Sequence, residues 1–450
     1  MKIPLSLLDS LSNTKGFNKE AFENVHTSGE QITSVRINPA KQSKIENQKS
    51  RIDWTDYGYY LETRPSFTFD PLFHAGTYYV QEASSMFLEQ ALKQTVDLTK
   101  SIKVLDLCAA PGGKSTHIQS VISKDSLLVS NEVIRSRANI LKDNIIKWGC
   151  ENAVVTNNDP SHFSKLENYF DVIVIDAPCS GSGLFRRDPD AIEEWSENNV
   201  GLCSQRQQRI LADVWPALKE NGVLIYSTCS YSKEEDEEIM DWMMDQFSVV
   251  SYELPVDPEW RITTVQSSRG AYGYRFWPDQ VKGEGFFLSC FQKKEGEAEA
   301  DIRYKRKPEQ PTKREMELIE KWVKTAGKEF IKYENTVYAW PTEWLKDFSF
   351  LLEQLRVIYS GVLVGELMRD KLVPDHALAM SNLVIDEIER FELDYEQAIK
   401  YLQRKDLIVE TKKKGWQLFI FQQHSLGWAN VLENRVNNYY PKELRILKDS

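Results

Sequence analysis

The chain has 450 residues, of which 41% are hydrophobic, and its 67 acidic residues outnumber the 56 basic residues to give a net charge of −11. This length exceeds the size at which a single hydrophobic core stops growing, so we expect two to four domains. No apolar run approaches the about 18 residues of a membrane span, and residues 1–10 lack the apolar region of a secretory signal peptide. Six cysteines without a C-x-x-C pair indicate a reduced, cytoplasmic protein with no metal site.

The acidic charge is unevenly distributed along the chain. Residues 301–450 carry 25 Lys and Arg against 24 Asp and Glu, a net of +1, which leaves −12 for residues 1–300. An acidic body is an awkward match for a polyanionic partner. It does not exclude one, because local basic patches rather than net charge determine phosphate contacts.

The N-terminal part predicts a small accessory domain over residues 1–75. It combines a short helical start with two β-like pieces, at 34–39 and 58–62. The following residues, 81–92, place apolar side chains at near-helical spacing and predict a helix that leads into the next domain.

Residues 76–294 alternate strand and helix patterns, which predicts an α/β domain with a parallel, doubly wound sheet. The predicted strands are 103–107, 127–131, 153–156, 171–176, 222–228 and 286–291, and the predicted helices are 114–122, 133–147, 204–219 and 233–245. The spelling Ser232-Lys233-Glu234-Glu235 is typical of a capping box at the start of the last helix. The final strand follows no long helix, so we expect it to be antiparallel, at the edge of the sheet.

The C-terminal third begins with a charged, proline-bearing stretch, residues 295–314, which predicts a linker. Beyond it we expect two small α+β domains, at 315–370 and 371–450. Strand patterns at 357–364 and 416–421 and a helix near 394–403 support this division. We expect this tail to bind substrate rather than to carry chemistry.

A glycine turn lies between the first predicted strand and helix, in the sequence KVLDLCAAPGGKSTHI at 103–118. Strand, glycine turn and helix form the element by which open α/β sheets bind nucleotide-like ligands. A phosphate-binding P-loop requires a first glycine where this chain has Cys108, and the dinucleotide G-x-G-x-x-G is absent. The turn therefore favours a nucleoside ligand without a polyphosphate, with S-adenosylmethionine as the leading candidate. A tight turn that binds nothing is the alternative.

Polar side chains follow several of the predicted strands, where ligands bind in doubly wound sheets. Glu132 follows the second strand, Asp159 the third and Asp176 the fourth. A single carboxylate at such a position is more often a helix cap or a turn residue. Their joint placement around the glycine turn favours a ligand site.

Two cysteines, Cys179 and Cys229, come just after strands and in polar turns. Free cysteine is commonly a small core residue, but a Pro/Ser/Gly turn is not a core environment. A thiolate beside a methyl donor suits cytosine, because addition of the thiolate at carbon-6 makes carbon-5 nucleophilic. These residues alone do not tell which cysteine attacks.

The chain resembles the Nop/Sun family of RNA cytosine-5 methyltransferases. The resemblance rests on three motifs in the family's order, DLCAAPGGKS (106–115), DAPCSGSG (176–183) and STCS (227–230), and extends to AGTYYVQEASSM (75–86) and GEGFF (283–287). The segment 427–446 is similar to the tail of the bacterial RsmF-type 16S ribosomal RNA methyltransferases, in which a PUA-like fold binds RNA.

The resemblance implies a Rossmann-like sheet, S-adenosylmethionine as cofactor and RNA as partner, most readily ribosomal RNA or the small ribosomal subunit. The implied cofactor-binding residues are Cys108, Ala109, Ala110, Pro111, Gly112, Gly113, Lys114, Glu132, Asp159 and Asp176. It also implies that Cys229 is the covalent nucleophile, that Cys179 helps release the product, and that Asp176 contacts both the donor and the base. We expect a monomer.

The chain departs from the family at several positions. Pro278-Asp279 stands where Pro-His is frequent, and Asn430 and Asn437 stand where basic residues are common. Two basic, aromatic-bearing patches, 303–307 and 412–416, fit RNA contact or ordinary solvated charge.

Alternative functions are a transfer RNA methyltransferase and a non-catalytic ribosome assembly factor that kept the fold. Intact cysteines, Asp176 and glycine turn argue against the second. A DNA methyltransferase, with Cys179 as nucleophile, is disfavoured by the STCS motif and by the tail.

Overall fold

The computed structural model describes residues 3–41, 47–296, 302–305, 307–411 and 413–448. Within these residues the strands form one sheet of ten strands and three sheets of four. No helix among them is long and apolar enough to cross a membrane. Residues 297–301 of the predicted linker lie outside the described residues, as do Arg306 and Lys412 of the two predicted basic patches.

The N-terminal part consists of two helices followed by an antiparallel sheet. The elements are α1 (Leu5–Leu11), α2 (Lys19–Thr27), β1 (Ser34–Ile37), β2 (Gln48–Arg51), β3 (Gly58–Leu61), α3 (Pro71–His74) and β4 (Tyr78–Val80), with the strands in the order β2-β3-β1-β4. The pieces predicted at 34–39 and 58–62 correspond to β1 and β3. The sheet extends past residue 75, because β4 pairs with β1.

The helix predicted at 81–92 starts later and ends later than expected. A 3-10 turn over Ser84–Phe87 continues into α4 (Leu88–Thr95). The start is set by Glu82, whose carboxylate accepts hydrogen bonds from the backbone N–H groups of Ser84 and Ser85, both at 2.8 Å.

Five parallel strands confirm the predicted doubly wound sheet. They are β5 (Lys103–Asp106), β6 (Leu127–Asn131), β7 (Ala153–Thr156), β8 (Phe170–Asp176) and β9 (Leu218–Thr228), in the order β9-β8-β5-β6-β7. The helices of this domain are α5 (Gly113–Val121), α6 (Arg135–Trp148), α7 (Ala191–Glu194), α8 (Glu197–Val214) and α9 (Glu237–Gln246). The prediction of a helix at 204–219 was wrong at both ends: α8 begins at Glu197, Pro216 lies in a 3-10 turn and β9 begins at Leu218.

Antiparallel strands extend the sheet beyond β9. They are β10 (Val249–Ser251), β11 (Thr263–Gln266), β12 (Tyr272–Phe276) and β13 (Phe286–Lys293). The strand predicted at 286–291 is antiparallel to β9, as expected, but its placement at the sheet edge was wrong. Two further strands, β12 and then β11, lie outside β13. The sequences of β11 and β12 gave no indication that these strands would pair alongside β13.

The strands of the central sheet are buried on both faces. Val104 and Val174 pack on one face with Ile118 of α5, whereas Leu105 and Ile175 pack on the other with α8 and α9. Successive strand residues point to opposite faces, so an uninterrupted apolar run is what a doubly covered strand requires.

A buried arginine fixes the N-terminal sheet against the central domain. The guanidinium of Arg36, on β1, donates to Thr116 Oγ1 at 2.6 Å and to Ser120 Oγ at 2.8 Å on α5. It also lies over the ring of Trp148, 4.6 Å from the centroid. Burial lowers the pKa of Arg36 to about 9. Arg36 thus ties β1 to the helix that follows the glycine turn.

The C-terminal part contains two further four-stranded sheets. The segment that carries the first contains α10 (Lys313–Ile319), β14 (Lys328–Tyr333), β15 (Thr336–Pro341), α11 (Leu345–Gln354), β16 (Val357–Ser360), β17 (Val362–Met368), β18 (Lys371–Pro374) and α12 (His376–Met380), and its sheet consists of β14, β15, β17 and β18. Those of the second are β19 (Arg390–Glu392), α13 (Tyr395–Leu402), β20 (Gly415–Phe421), β21 (His424–Val431) and β22 (Val436–Asn438). The α+β character predicted for the tail is confirmed.

One strand of the tail belongs to the central sheet. β16 pairs antiparallel with β7 and forms the edge of the ten-stranded sheet. Behind it, Trp340, Phe348 and Leu351 pack in the same hydrophobic cluster as Phe163 and Tyr169 of the central domain. The first C-terminal sheet is therefore joined to the central domain through a shared core.

Candidate active site

The glycine turn opens directly into α5. Gly112 has a left-handed backbone, with φ +116°, and the first turn of α5 has no side-chain cap. A Cβ on Gly112 would lie 3.3 Å from Cβ of Asn144, so the position suits glycine both by conformation and by space. The uncapped N–H groups of α5 are thus available to an anionic group.

The loop before this turn is held by side chains of α6. Arg137 Nη2 donates to the carbonyl of Ala110 at 2.9 Å, and Asn144 Nδ2 donates to that of Pro111 at 2.8 Å. Cys108 lies at the start of the loop, and burial raises the pKa of its thiol well above the ordinary range. This cysteine is therefore held as a neutral thiol rather than as a nucleophile.

Asp106, the last residue of β5, is hydrogen-bonded to the helix that follows the glycine turn. It is fully buried and accepts a hydrogen bond from Ser115 Oγ at 2.6 Å, which ties β5 to the start of α5. Burial raises the pKa of Asp106 to about 7. Asp106 is the first residue of the motif DLCAAPGGKS, but the sequence alone did not single it out as a site residue.

Glu132 and Asp159 lie at the same edge of the sheet, after β6 and β7. Glu132 Oε1 accepts from the backbone N–H of Ile134 at 2.8 Å, and its Oε2 lies 3.6 Å from Arg137 Nη1. Asp159 Oδ1 caps the next turn by accepting from Ser161, while its Oδ2 lies 3.8 Å from Arg209. Each carboxylate thus has a local turn role, and each keeps one oxygen with only a distant cationic partner.

Asp176 ends β8 between the turn and the cysteines. Its Oδ2 lies 2.7 Å from Lys114 Nζ, and its Oδ1 accepts from Ser227 Oγ at 2.9 Å. Lys114 also lies over the ring of Phe286, 5.2 Å from the centroid. The ion pair brings the predicted cofactor turn and the predicted catalytic carboxylate into direct contact.

The two predicted cysteines meet at the ends of neighbouring strands. Cys179 follows β8, Cys229 follows β9, and their sulfur atoms are 3.0 Å apart. Both side chains are half-buried. The hydrogen bond with Cys229, together with burial, raises the pKa of Cys179 well above its ordinary range. Cys179 is therefore stabilised as a neutral thiol.

The close approach of the cysteine loops depends on glycine. The backbone N–H of Gly183 donates to the carbonyl of Cys229 at 2.8 Å, and Gly285 N–H donates to the carbonyl of Gly183 at 3.0 Å. A Cβ on Gly183 would lie 2.6 Å from the Gly285 oxygen and 2.7 Å from the Cys229 oxygen. No side chain can occupy this position without moving one of the loops.

The capping box predicted at Ser232–Glu235 was wrong. Ser232 makes no side-chain cap bond, residues Lys233–Glu235 form a 3-10 turn, and α9 begins only at Glu237. Glu235 instead points inward, is fully buried and accepts hydrogen bonds from the serines that follow the two cysteines, Ser180 and Ser230. The local spelling fitted a cap, but the contacts across the sheet determine the conformation.

Asp236, the residue after Glu235, bonds to the residue that precedes Cys229. Asp236 Oδ1 accepts from Thr228 Oγ1 at 2.6 Å, and its Oδ2 lies 3.1 Å from Arg275 on β12. Burial raises the pKa of Asp236 well above its ordinary range. We call Glu235 and Asp236 the acidic turn. The local sequence KEEDEE (233–238) is a charged run and gave no sign that two of its carboxylates would be buried.

The chain matches four protein-family models over most of its length. They describe the N-terminal domain of 16S rRNA methyltransferase RsmF (residues 3–83), 16S rRNA methyltransferase RsmB/F (93–292), the RsmF rRNA methyltransferase first C-terminal domain (316–381) and the methyltransferase RsmF PUA domain (389–446).

Similar proteins and structures agree with these matches. Ribosomal RNA small subunit methyltransferase F of Psychromonas ingrahamii is 32% identical over 442 residues, covering 91% of this chain and 90% of the relative. The same-named protein of Vibrio parahaemolyticus is 30% identical over 446 residues, covering 91% of each. A crystal structure of a methyltransferase homolog protein from Pyrococcus horikoshii is 26% identical and covers 65% of this chain and 100% of its own, with a TM-score of 0.52. A structure of NSun6 from that organism, 18% identical with a TM-score of 0.53, covers 64% of this chain and 98% of its own and shows the same fold.

The doubly wound sheet, the glycine turn and the paired cysteines define an S-adenosylmethionine-dependent RNA cytosine-5 methyltransferase. More particularly, the chain belongs to the 16S rRNA methyltransferase RsmB/F family, with the N-terminal and C-terminal domains of the RsmF type. The predicted family, fold class and methyl donor are thereby confirmed.

Proposed function

We propose that the chain methylates carbon-5 of cytosine in small-subunit ribosomal RNA through a covalent adduct at Cys229. The observation that carries this proposal is the pair of thiols, 3.0 Å apart, beside the carboxylate of Asp176. The names of the curated relatives support ribosomal RNA as the substrate.

The residues at the sheet edge fit S-adenosylmethionine. The uncapped start of α5 suits the carboxylate of its methionine part, and the segment from Cys108 to Lys114 forms the cradle. Glu132 follows β6, and its Oε2 would accept hydrogen bonds from the ribose hydroxyls. Asp159 follows β7, the next strand along the chain, and would contact the edge of the adenine. Bound there, S-adenosylmethionine would supply the methyl group.

The cysteines divide the chemistry. Cys229 forms the bond to carbon-6 of an unstacked cytosine, which gives carbon-5 the electron density that accepts the methyl group. Asp176, fixed by Ser227 and Lys114, would share a proton with the ring nitrogen that gains charge. The carbon-5 proton then passes to water, the electrons of that carbon–hydrogen bond re-form the double bond between carbon-5 and carbon-6, and the Cys229 sulfur leaves as a thiolate. Cys179, held as a thiol by its raised pKa, assists this last stage.

The assignment of substrate is tested by methylation mapping. The purified protein, S-adenosylmethionine and RNA are incubated together, with naked 16S ribosomal RNA, small ribosomal subunits and transfer RNA as separate substrates. Bisulfite sequencing then locates 5-methylcytosine. We expect new sites in 16S ribosomal RNA, either free or in the subunit, that the Cys229→Ala variant does not produce. Modification of transfer RNA alone would contradict the ribosomal assignment, and modification of none would contradict catalysis.

A further inference from the structure

We propose that Glu235 is a positioning residue that holds the loops of Cys179 and Cys229 at their working separation. The inference rests on the proposed function, because it assigns a task to a residue that touches neither thiol. Glu235 lies in the acidic turn, on a segment separate from both cysteine loops.

The carboxylate of Glu235 joins the two loops directly. Its Oε2 accepts a hydrogen bond from Ser180 Oγ at 2.5 Å and another from Ser230 Oγ at 2.6 Å. Ser180 follows Cys179, and Ser230 follows Cys229. One oxygen atom therefore binds the residue next to each thiol, and the two loops cannot separate without breaking one of these bonds.

The other oxygen of Glu235 fixes the Cys179 loop more fully. Oε1 accepts from the backbone N–H of Ser180 at 2.8 Å and from Gln207 Nε2 at 3.2 Å. Gln207, on α8, also donates to the carbonyl of Pro178 at 3.1 Å. The peptides on both sides of Cys179 are thus held by Glu235 and its partner on α8.

An ionised carboxylate is the group that this arrangement requires. The four donors fill the about four acceptor positions that a carboxylate offers. Burial raises the pKa of Glu235, and the hydrogen bonds from the two serines oppose that rise. A glutamine would keep the volume, but its amide NH₂ group cannot accept from both serine hydroxyls. The substitution Glu235→Gln therefore changes the bonding of the loops with little change in packing.

The matched control is Glu234→Gln. Glu234 precedes Glu235, lies exposed and undergoes the same chemical change. Both full-length variants are compared with the wild type in thermal unfolding, S-adenosylmethionine affinity by calorimetry, and steady-state methylation of RNA. A fourth measurement is the rate at which diamide oxidises Cys179 and Cys229 to a disulfide, with diamide reduced to the hydrazine and the pair located by mass spectrometry.

We expect Glu235→Gln to lower kcat by about 100-fold, because misplacement of a reacting group by about 1 Å has an effect of this size. The KM for RNA and the affinity for S-adenosylmethionine should stay within about twofold, since Glu235 is fully buried and its side chain bonds to none of the proposed cofactor residues. Disulfide formation should slow by at least about tenfold, whereas Glu234→Gln should match the wild type in every measurement. A merely structural role would lower the unfolding temperature without this separation of kcat from KM.

Two results would overturn the proposal: an unchanged kcat in folded Glu235→Gln, or a lowered kcat with disulfide formation at the wild-type rate. If Glu235→Gln does not fold, the double variant Ser180→Ala/Ser230→Ala removes the two hydroxyls and must give the same separation of kcat from KM. A wild type that methylates no RNA would contradict the proposed function instead, and the disulfide rates would still decide the role of Glu235.

Discussion

Among single residues, Gly183 shows most clearly why the cysteine loops require a particular amino acid. The carbonyls of Gly285 and Cys229 leave no room for a Cβ at this position, and both are backbone groups that cannot turn aside. Gly201, on α8, differs because an added Cβ there would meet nothing within 4 Å. The two glycines therefore form a matched pair for substitution.

We expect Gly183→Ala to lower the free energy of unfolding by about 1–3 kcal/mol, because overpacking forces the backbone to shift. Gly201→Ala should raise it by up to about 1 kcal/mol, since alanine is the better helix former. Urea denaturation measures both. A neutral Gly183→Ala would show that the loops can move apart at little cost.

The buried carboxyl of Asp106 makes a specific pH dependence testable. Burial raises the pKa of Asp106 from 3.8 to about 7 in the folded chain. The folded state therefore holds more protons than the unfolded state between these values. The stability that protonated Asp106 contributes is fully present below pH about 4 and is lost as the pH rises through about 7.

In the variant Asp106→Asn this titration is absent, while an oxygen remains to accept from Ser115. We expect the free energy of unfolding of the variant to fall less steeply than that of the wild type between pH about 4 and 7. Urea denaturation at a series of pH values measures the two slopes. Parallel curves would show that Asp106 does not titrate in this range.

For whole elements, the sequence was informative wherever burial alone decides the structure. The strands β5, β6, β7 and β8 were predicted to within one residue at each end, because each is an apolar run covered on both faces. The carboxyl ends of these strands then located the glycine turn, the three carboxylates and Cys179, and the end of β9 located Cys229.

Elements that depend on distant partners could not be read from local patterns. Glu235 fitted a capping box by its local sequence, but hydrogen bonds from Ser180, 55 residues earlier in the chain, turn it inward. The residue range 357–364 was predicted as one strand, whereas Gly361, with φ +62°, separates β16 from β17. The pairing of β16 with β7 joins residues about 200 positions apart, and no periodicity records such a contact.

The pairing of β16 also reaches the proposed cofactor edge. The buried side chain of Asn158 accepts from the backbone N–H of Arg356 at 3.0 Å, and the carbonyl of Arg356 accepts from Asn157 N–H at 3.0 Å. Asn158 immediately precedes Asp159. The tail thus helps to fix the loop that we assign to the adenine end.

We expect Asn158→Ala to weaken S-adenosylmethionine binding and to lower the free energy of unfolding by about 1–3 kcal/mol, because it leaves the Arg356 N–H without its acceptor. Calorimetry and urea denaturation measure the two effects. The control is Ser164→Ala on the same loop, whose hydroxyl donates only locally to Ser161. If both variants bind the cofactor equally well, β16 does not support the site.

At the scale of the whole molecule, the first C-terminal sheet is part of the catalytic domain's core. Asp347 of α11 accepts from the hydroxyl of Tyr169 at 2.7 Å and lies 3.0 Å from Lys103 Nζ. Tyr169 and Asp347 are buried and Lys103 is half-buried, and both contacts join the tail to the central domain. The tail was predicted to bind substrate. The contacts of Asp347 show that this part of the tail also stabilises the fold.

A chain that ends at Lys294 should consequently lose stability as well as RNA affinity. Its exposed surface would include Tyr169, whose ring packs against Phe350 of α11, and each large apolar side chain returned to water costs about 1.5–3 kcal/mol. We expect a lower unfolding temperature by calorimetry and increased binding of a hydrophobic dye. A truncated chain that unfolds at the full-length temperature would contradict the shared core.

The central claim, covalent catalysis with separate tasks for Cys229 and Cys179, is tested most directly on a denaturing gel. Each cysteine is replaced by alanine in the full-length chain, which is then incubated with S-adenosylmethionine and its RNA substrate. We expect Cys229→Ala to give neither adduct nor product, and Cys179→Ala to transfer the methyl group yet remain joined to the RNA as a band of retarded mobility. A trapped band with Cys229→Ala and none with Cys179→Ala would reverse the assignment.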